Sequence, residues 1–568
     1  MPATFPQPSF DGFFKHAEMM VLLDAYCAAR PQLVQKIVIG KSFEGRDIAL
    51  LAVTNQATGR HEDKPALWVD GNIHAAELLA STAVLNYLHR LLSDYGSDAA
   101  VTQLLNTRTL YLVPRLNPDG AELALADRPR HIRSSTRRYP YDESPVEGLT
   151  PEDVDGDGRI LSMRVADPHG GWKIHPEEPR LLVPREPGEF GGRYFRLMPE
   201  GFIQNFDGVQ IKVNPDPEGL DLNRNFPEAW RQEFEQVGAG PYPASEPEVR
   251  ACVDFVVKHP NIGAAISYHT HSGVILRASG LRTDDDLPAE DLWQIKRFSE
   301  LGTQHTGYPA VSVWHDFKYH PKDHISGTQQ WFYEHLGAMH WVVELWSPNR
   351  EAGVTNYKWI DWYREHNAED DRKLLAWSDS LGPDAAFVNW RKVQHPQLGE
   401  VEIGGWDLMN FWRNPPPALR HKEVEKFPAW MNQLALSLPK LELLQARATA
   451  MGSETWRIRM AVANSGYLGT TITEQGLARK VVRGVAFEIH LPANDPHIEL
   501  ISGAQRQLGP QLAGHAPRSS QHHFVPGKDV TADRAVVEWL VRAPRGSRMV
   551  LTARHERAGV VRAELTLD

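Results

Sequence analysis

Three residues of the chain have the types and spacing of a metal site. The segment GNIHAAELL places His74 and Glu77 three residues apart where a strand ends and a helix begins, so both side chains can point the same way. His269 ends a second apolar segment, AAISYHTHSG, and His271 after it is interpreted as a polar wall residue. With only two cysteines in the chain, a zinc site would use nitrogen and oxygen ligands. The H-x-x-E pattern by itself is equally consistent with a surface ion pair.

A second group of acids lies in the segment DVDGDGRI. Asp153, Asp155 and Asp157 occupy alternate positions, as in the first half of a calcium-binding loop. The twelfth position of such a loop is expected to be glutamate and is Arg164 here. Two interpretations therefore stay open: a calcium site, or an Asp/Gly turn tied by Arg159 or Arg164.

The elements that must position these residues alternate between strands and helices. Strand-like runs occur at residues 36–40, 48–54, 65–71, 109–116, 263–269 and 340–345. The third, fourth and last two are nearly continuous apolar runs, as in central strands that are covered on both faces. Between them, the segment from Glu77 to Tyr95 has leucines at helical spacing. This alternation predicts an α/β layer fold for residues 1–380.

The rest of the chain has a different character. Residues 139–219 are rich in Pro, Gly, Asp and Arg with little periodicity, which predicts an irregular insertion of functional importance. Residues 381–438 are predicted to be a connector with short strands and a helix. Residues 439–568 alternate with period two, as in Trp456 and Ile458, and this pattern predicts an all-β sandwich domain.

Composition excludes several classes of protein. The chain has 61 basic and 72 acidic residues, a net charge of −11, so no basic face for nucleic acid is expected. No apolar run approaches the roughly 20 residues that span a bilayer, so no membrane partner is expected. The first residues lack a basic segment followed by an apolar one, which predicts a cytoplasmic location unless a leader was removed from a secreted or periplasmic protein. The sequence does not determine the oligomeric state.

Seven short segments together resemble the zinc carboxypeptidase family, the carboxypeptidase A-like metallocarboxypeptidases. They occur in the family's order: GKSFEGRDI, GNIHAAE, NPDG, DLNRNF, SEPE, ISYHTHSG and VVEL. The resemblance spans about residues 15–380 and leaves out the insertion and the sandwich. It implies a mixed central sheet with helices on both faces.

The resemblance also implies roles for individual residues. His74, Glu77 and His269 match the ligands of one zinc ion. Glu344, at the end of the apolar run HWVVEL, matches the general base that acts on a zinc-activated water, although an acid paired with a helix or a lysine is the alternative. Asp221 matches an acid that orients the first zinc histidine.

Further matches concern the substrate. Asn223 and Arg224 in DLNRNF match the pair that binds the terminal carboxylate of a peptide. Arg133 in RHIR is the candidate for stabilising the oxyanion, with a solvated basic patch as the alternative. The family often has an arginine between the histidine and glutamate of H-x-x-E, whereas Ala75 and Ala76 stand there in this chain.

Two other positions depart from the family pattern. The family's mobile tyrosine aligns with Lys322, and Tyr319 is the nearest candidate for its role. The position that selects the departing side chain falls near Gln329, which is neither acidic nor apolar. Specificity for basic or for large apolar terminal residues is therefore not supported.

These observations predict a zinc metallocarboxypeptidase that hydrolyses the C-terminal peptide bond of peptides with a free carboxylate. Two alternatives stay open. One is a zinc amidase that acts on a non-standard amide, such as a cell-wall peptide or a side-chain-linked or acylated amino acid. The other is a non-catalytic protein that binds C-terminal peptides, and Glu344 argues against it because a binding protein needs no general base.

Overall fold

The computed structural model describes residues 4–141, 143–318, 323–492, 495–516 and 529–568. The first part of the chain contains α1 (His16–Ala29), β1 (Val34–Lys41), β2 (Asp47–Val53), β3 (Ala66–Gly71), α2 (Leu78–Asp94), α3 (Ala99–Thr107), β4 (Thr109–Val113) and α4 (Pro118–Ala124). Six strands follow: β5 (Gly148–Pro151), β6 (Ser162–Ala166), β7 (Trp172–Ile174), β8 (Leu182–Pro184), β9 (Tyr194–Pro199) and β10 (Gly201–Gln204). The domain then continues with α5 (Pro247–Lys258), β11 (Ile262–Thr270), β12 (Val274–Arg277), α6 (Ala289–Thr306), β13 (Ala310–Ser312), α7 (Val313–Asp316), α8 (Thr328–Gln330), β14 (Met339–Leu345), α9 (Pro348–Glu351), α10 (Trp359–Arg364) and α11 (Ala368–Ser380).

The remaining elements form the connector and the C-terminal domain. The connector has β15 (Phe387–His395), β16 (Gly399–Trp406), α12 (Pro417–Val424) and α13 (Pro428–Ser437). The C-terminal domain has β17 (Leu441–Gly452), β18 (Thr455–Asn464), α14 (Glu474–Ala478), β19 (Ala486–His490), β20 (Glu499–Ser502), β21 (Arg506–Leu508), β22 (Arg534–Arg542), β23 (Arg548–His555) and β24 (Gly559–Thr566). Among the residues described, no helix combines the length and low polarity that crossing a membrane requires.

The central sheet has eight strands in the order β1-β2-β4-β3-β11-β14-β12-β13. Strands β4, β3, β11 and β14 are parallel, whereas β1, β2 and β4 pair antiparallel, as do β14 and β12. The strands are apolar on both faces because each face has its own core: Leu67 and Val69 pack on the side of α2, and Trp68 packs against Phe255 of α5. The predicted mixed sheet with helices on both faces is confirmed.

The segment expected to be an irregular insertion is instead partly ordered into strands. Its β6, β7, β8 and β9 join β15 and β16 of the connector in a six-stranded sheet, and β5 pairs with β10. These strands were not predictable from local periodicity, because β6 completes its hydrogen bonds with β16, more than 200 positions later. The insertion and the connector therefore share one sheet that is separate from the eight-stranded central sheet.

The C-terminal domain is an all-antiparallel β-sandwich, as predicted. One sheet has the order β17-β18-β22-β20 and the other β21-β19-β23-β24. The alternating apolar residues face a shared core, where Ile458 and Met460 of the first sheet lie with Phe487 and Ile489 of the second. The period-two pattern was a sufficient signal here because each strand has one buried face.

Candidate metal centre

The candidate ligands lie at one edge of the central sheet. Strands β3, β11 and β14 are neighbours and run parallel, so their carboxyl ends meet at the same edge. His74 and Glu77 lie in the turn after β3, His269 lies near the end of β11, and its register partner on β14 is Glu344. This is where open α/β sheets place their binding sites.

The turn after β3 is held in one conformation. A Cβ atom on Gly71 would lie 2.6 Å from the Ala80 carbonyl oxygen, so only glycine permits this close approach of strand and helix. Asn72 has a φ of 57°, and its side-chain amide donates hydrogen bonds to the carbonyls of His74 (2.7 Å) and Ala75 (3.2 Å). The direction of the His74 side chain is therefore determined by backbone contacts.

Four donor atoms of the three candidate ligands converge. His74 Nδ1 lies 2.9 Å from Glu77 Oε1 and 3.0 Å from His269 Nδ1, which lies 3.0 Å from Glu77 Oε2. Ligands of a tetrahedral zinc ion at 2.0–2.1 Å are about 3.3 Å apart, so the observed separations are slightly shorter than those of a zinc site. All three side chains are buried. Two imidazole nitrogens and a carboxylate are a donor set that zinc prefers, and the residues fit the ion that the sequence predicts.

Asp221 contacts the ring nitrogen of His74 that does not face Glu77 and His269. Its Oδ1 lies 3.1 Å from His74 Nε2, a contact that leaves His74 Nδ1 free to face the other donors when Nε2 carries the proton. Burial alone would raise the pKa of Asp221, but the charges of Arg133, Arg224 and His74 hold it well below its usual range. Asp221 is therefore a fixed anion. The same balance applies to Glu77, whose pKa is held low by the two histidines against the effect of burial.

Arg133 lies in the same cavity. Its Nε donates to Asp221 Oδ2 at 3.1 Å, its Nη1 lies 3.5 Å from Glu77 Oε1, and its carbonyl accepts from the Ala75 amide at 2.9 Å. Both acids keep the guanidinium charged by raising its pKa above the usual range, although burial opposes them. The Arg133 side chain is 43% exposed and contacts two acids of the site, so its role towards an oxyanion stays a prediction.

Asn223 and Arg224 occupy a short 3-10 turn that begins after Asp221. The Asp221 carboxylate accepts from the Asn223 amide at 2.9 Å, and the Asn223 side-chain oxygen accepts from the Thr328 amide at 2.9 Å. Arg224 Nη1 donates to the Asn223 carbonyl at 3.0 Å. These contacts place both side chains on the wall of the cavity that holds the candidate ligands.

The cavity itself has a volume of about 340 Å³. Glu344 lies on its wall, and burial raises the pKa of its carboxyl to about 7, even though His269 and Arg133 favour the ionised form. Gln329 also lines the cavity and is 5% exposed. Tyr319 and Lys322, the two positions considered for a mobile tyrosine, lie outside the described residues.

The cavity wall also contains His271, Tyr363 and Arg413. His271 lies there as predicted and is not among the converging donors, while its ring contacts Tyr363 at 5.3 Å between centroids. Tyr363 of α10 and Arg413 of the connector also line the cavity. Sequence reasoning missed both, because neither lies in a motif and only the tertiary fold brings them to the ligands.

The arginine that pairs with the aspartate-rich loop is Arg391, a residue outside the predicted set of Arg159 and Arg164. Arg391 of β15 donates to Asp155 Oδ2 and to Asp157 Oδ2, each at 2.6 Å. The side chains of Arg159 and Arg164 do not tie the loop, since they bind the Asp384 carbonyl and Glu402, although the Arg159 backbone amide donates to Asp157 Oδ1 at 2.8 Å.

A buried glutamate completes the loop. Asp153, Asp155 and Glu200 bring carboxylate oxygens within 4.8 Å of one another, and Asp157 is not part of this group. Glu200 accepts hydrogen bonds from the amides of Val154 (2.7 Å) and Leu161 (2.9 Å). Burial nevertheless raises its pKa to about 7.

Comparisons with known proteins identify similar families for two parts of the chain. A family model described as zinc carboxypeptidase matches residues 19–367, more than half of the chain. A second model, a domain of unknown function (DUF8731), matches residues 440–566, which form the sandwich. The chain is 27% identical to carboxypeptidase A2 of Mus musculus over 274 residues, 48% of each sequence. It is 26% identical to carboxypeptidase A1 of Sus scrofa over 280 residues, 49% of this chain and 50% of the relative.

The chain thus spans about half the length of the curated relatives it matches. Among solved structures, thrombin activatable fibrinolysis inhibitor is similar with a TM-score of 0.45, 17% identity and coverage of 75% of this chain and 74% of that one. Carboxypeptidase A from Helicoverpa armigera has a TM-score of 0.42, 17% identity and coverage of 67% and 77%. These structural likenesses add no weight to the assignment, which stands on the extent of the family match. The chain belongs to the zinc carboxypeptidase family.

Proposed function

We propose that this chain is a zinc-dependent metallocarboxypeptidase that removes the C-terminal residue of peptides with a free carboxylate. One observation carries the proposal: the donors of His74, Glu77 and His269 converge in a cavity that also contains Glu344 and Arg224. A metal site, a general base and a carboxylate-binding group are the three parts that this reaction needs.

His74, Glu77 and His269 would hold the zinc ion. When bound, zinc polarises the carbonyl of the scissile bond and acidifies the attacking water. The chain's own contribution is to present three buried ligands in fixed directions, with Asp221 behind His74 and the Asn72 side chain holding the turn.

Glu344 would act as the general base. Its carboxyl has a pKa of about 7 and faces the cavity from the strand next to His269, so it can accept a proton from the attacking water near neutral pH. It would then deliver that proton to the nitrogen of the departing residue. This transfer completes the hydrolysis without any change in the charge of the protein.

Asn223 and Arg224 would bind the terminal carboxylate. A planar guanidinium matches a carboxylate with two parallel hydrogen bonds, and the Asn223 amide adds a third donor. Arg133 would stabilise the negative charge that develops on the carbonyl oxygen, because Asp221 already holds its guanidinium beside the ligands.

A mass-spectrometric time course tests this function. Zinc-loaded protein is mixed with a peptide library, half as free acids and half as C-terminal amides. Stepwise loss of single residues from the free acids alone is the expected result, and the rates report the preferred terminal residue. Cleavage of both halves would show that Arg224 does not select substrates and would favour the non-standard amidase. If zinc is bound and no peptide is cut, the carboxypeptidase proposal is wrong.

Calcium binding by Asp153, Asp155 and Asp157 stays a prediction. Arg391 supplies a positive charge between Asp155 and Asp157, so the loop is held together by an ion pair. A calorimetric titration with calcium measures whether the loop also takes an ion.

A further inference from the structure

A segment of the connector is anchored on the turn that carries the candidate ligands. Asn414 follows a π-helical turn over residues 408–413, and its side chain donates to the Ala76 carbonyl at 2.9 Å and accepts from the Leu79 amide at 2.9 Å. Asn414 is completely buried. Both contacts lie within two residues of Glu77, so the connector has a defined position relative to the metal centre.

This anchor brings Arg413 into the cavity. Its side chain lines the cavity together with Glu344 and His271, and its Nη1 lies 3.5 Å from His271 Nδ1. Within the part of the chain that the structure describes, no carboxylate forms an ion pair with Arg413. The turn itself contributes no guanidinium, because its two central residues are Ala75 and Ala76.

An arginine that lines a cavity without a carboxylate partner, as Arg413 does among the described residues, is suited to bind an anion. A half-buried guanidinium has lost part of its hydration, and a carboxylate of a ligand would restore the lost interactions with two charge-assisted hydrogen bonds. Arg133 differs, because Asp221 and Glu77 already balance its charge.

Arg413 and Arg224 reach the same cavity on two different segments of the chain. The turn that carries Arg224 is hydrogen-bonded through Asn223 to Thr328, whereas the segment that carries Arg413 is hydrogen-bonded to Ala76. A single carboxylate bound by Arg224 therefore leaves Arg413 available for a second group.

We propose that Arg413 binds an anionic group on the acyl side of the scissile bond, so that the enzyme prefers peptides with an acidic residue immediately before the departing one. The inference rests on the proposed carboxypeptidase function and deepens it by naming a substrate class. Arg413 lies outside the segment that matches the family model, so this preference is a property of the added connector.

Paired peptides test the preference. Each pair carries glutamate or glutamine at the penultimate position, over several terminal residues, and a second set carries glutamate or glutamine at the terminal position. We expect kcat/KM to be about tenfold or more higher for penultimate glutamate, the size of one charge-assisted interaction. R413M should remove this preference and still cleave the glutamine peptides, and R413K should keep part of it.

A matched control is Arg364→Gln on α10, which removes an exposed guanidinium from the helix that carries Tyr363. This variant should keep the full preference. Equal losses on both peptides of a pair in R413M would overturn the proposal, because they indicate a structural role. A preference for glutamate only at the terminal position would also overturn it.

A binding measurement separates this proposal from the proposed function. The zinc-loaded E344Q protein is titrated calorimetrically with the same peptides, with and without the Arg413→Met substitution. About tenfold tighter binding of penultimate glutamate that is lost in R413M supports the subsite whether or not the parent protein hydrolyses peptides. Equal affinities for glutamate and glutamine overturn it, whereas absent turnover alone contradicts only the proposed function.

Discussion

Two carboxylates near the candidate ligands, Asp221 and Glu344, have pKa values shifted in opposite directions. Burial favours the neutral form of both Asp221 and Glu344. For Asp221, the charges of Arg133 and Arg224 outweigh burial and hold the pKa well below its usual range. For Glu344, burial dominates and the pKa rises to about 7. Pairs of acids whose environments separate their pKa values divide the work between a fixed anion and a proton-transfer group.

The first prediction at this scale concerns the base. Glu344→Gln keeps the shape of the side chain but cannot accept a proton, so kcat should fall by about 10²-fold to 10⁴-fold. Zinc content, measured by atomic absorption, should equal that of the parent, because Glu344 is not among the converging donors. Activity near the parent level would contradict the assignment of the base.

The second prediction concerns pH. Glu344 must be ionised to accept a proton, so kcat/KM should rise with pH as its carboxyl deprotonates. The midpoint should lie at or below about 7, because the pKa of about 7 applies without the added positive charge of a bound metal ion. A rate profile from pH 4 to 9 measures it. A rate that increases as the pH falls below 5 would exclude an ionised Glu344 as the base.

At the scale of elements, the loop of residues 153–161 depends on strand β15. Arg391 bridges Asp155 and Asp157, and Arg391→Met would leave these acids without their cation. We expect the free energy of unfolding to fall by about 1–3 kcal/mol, measured by chemical denaturation. Lys392→Met is the control, since its pair with Glu400 is exposed and should contribute less than about 1 kcal/mol.

Calcium gives this experiment a second arm. If the aspartates bind the ion, added calcium should restore part of the stability of the R391M protein. No response to millimolar calcium would contradict a calcium site in the loop.

Glu200 gives the same loop a pH-dependent stability. Its folded-state pKa of about 7 lies above the ordinary value of 4.5, so the folded protein binds this proton more tightly than the unfolded one. The resulting stabilisation is fully present below about pH 4.5 and is lost as the pH rises through about 7, by up to about 3 kcal/mol. Denaturation midpoints at several pH values should show this decline, and Glu200→Gln should make it shallower. An unchanged slope in the variant would contradict the assignment.

At the scale of the whole molecule, the sandwich holds a segment that leads to the cavity of the candidate ligands. Residues 328–337 begin at the cavity wall and end at Gly337, whose carbonyl accepts from Arg557 Nη1 at 2.7 Å and from Thr473 Oγ1 at 2.7 Å. Arg557 also donates to the Leu336 carbonyl and is 4% exposed. The C-terminal domain thus supplies hydrogen-bond donors to the carbonyls at the end of this segment.

Arg557→Met should therefore destabilise the protein. It would leave the buried carbonyls of Leu336 and Gly337 with fewer donors, at a cost of about 1–3 kcal/mol in the free energy of unfolding. Arg554→Met on β23 is the control, because its ion pair with Asp63 is half exposed and should cost less than about 1 kcal/mol. Equal stabilities of the two variants would contradict a stabilising role for the hydrogen bonds from Arg557 to the Leu336 and Gly337 carbonyls.

The local sequence was sufficient to predict the central sheet and the sandwich and to indicate the candidate ligands. Apolar runs predicted the central strands because those strands are buried on both faces, and alternation predicted the sandwich because its strands have one buried face. His74, Glu77, His269 and Glu344 were predicted from short motifs near the ends of such runs and from the family resemblance, and the ends of parallel strands meet at one edge.

Only the tertiary structure decided what lies around those residues. The insertion forms strands because β16 pairs with β6, Arg391 ties Asp155 across 236 positions, and Asn414 contacts Ala76 across 338 positions. Such contacts leave no local pattern, since a single arginine or asparagine has the same neighbours in sequence whether or not it meets a distant partner. The residues of the candidate centre were therefore predictable from short motifs, whereas the loop that Arg391 closes and the arginine that the connector brings to the cavity required the folded chain.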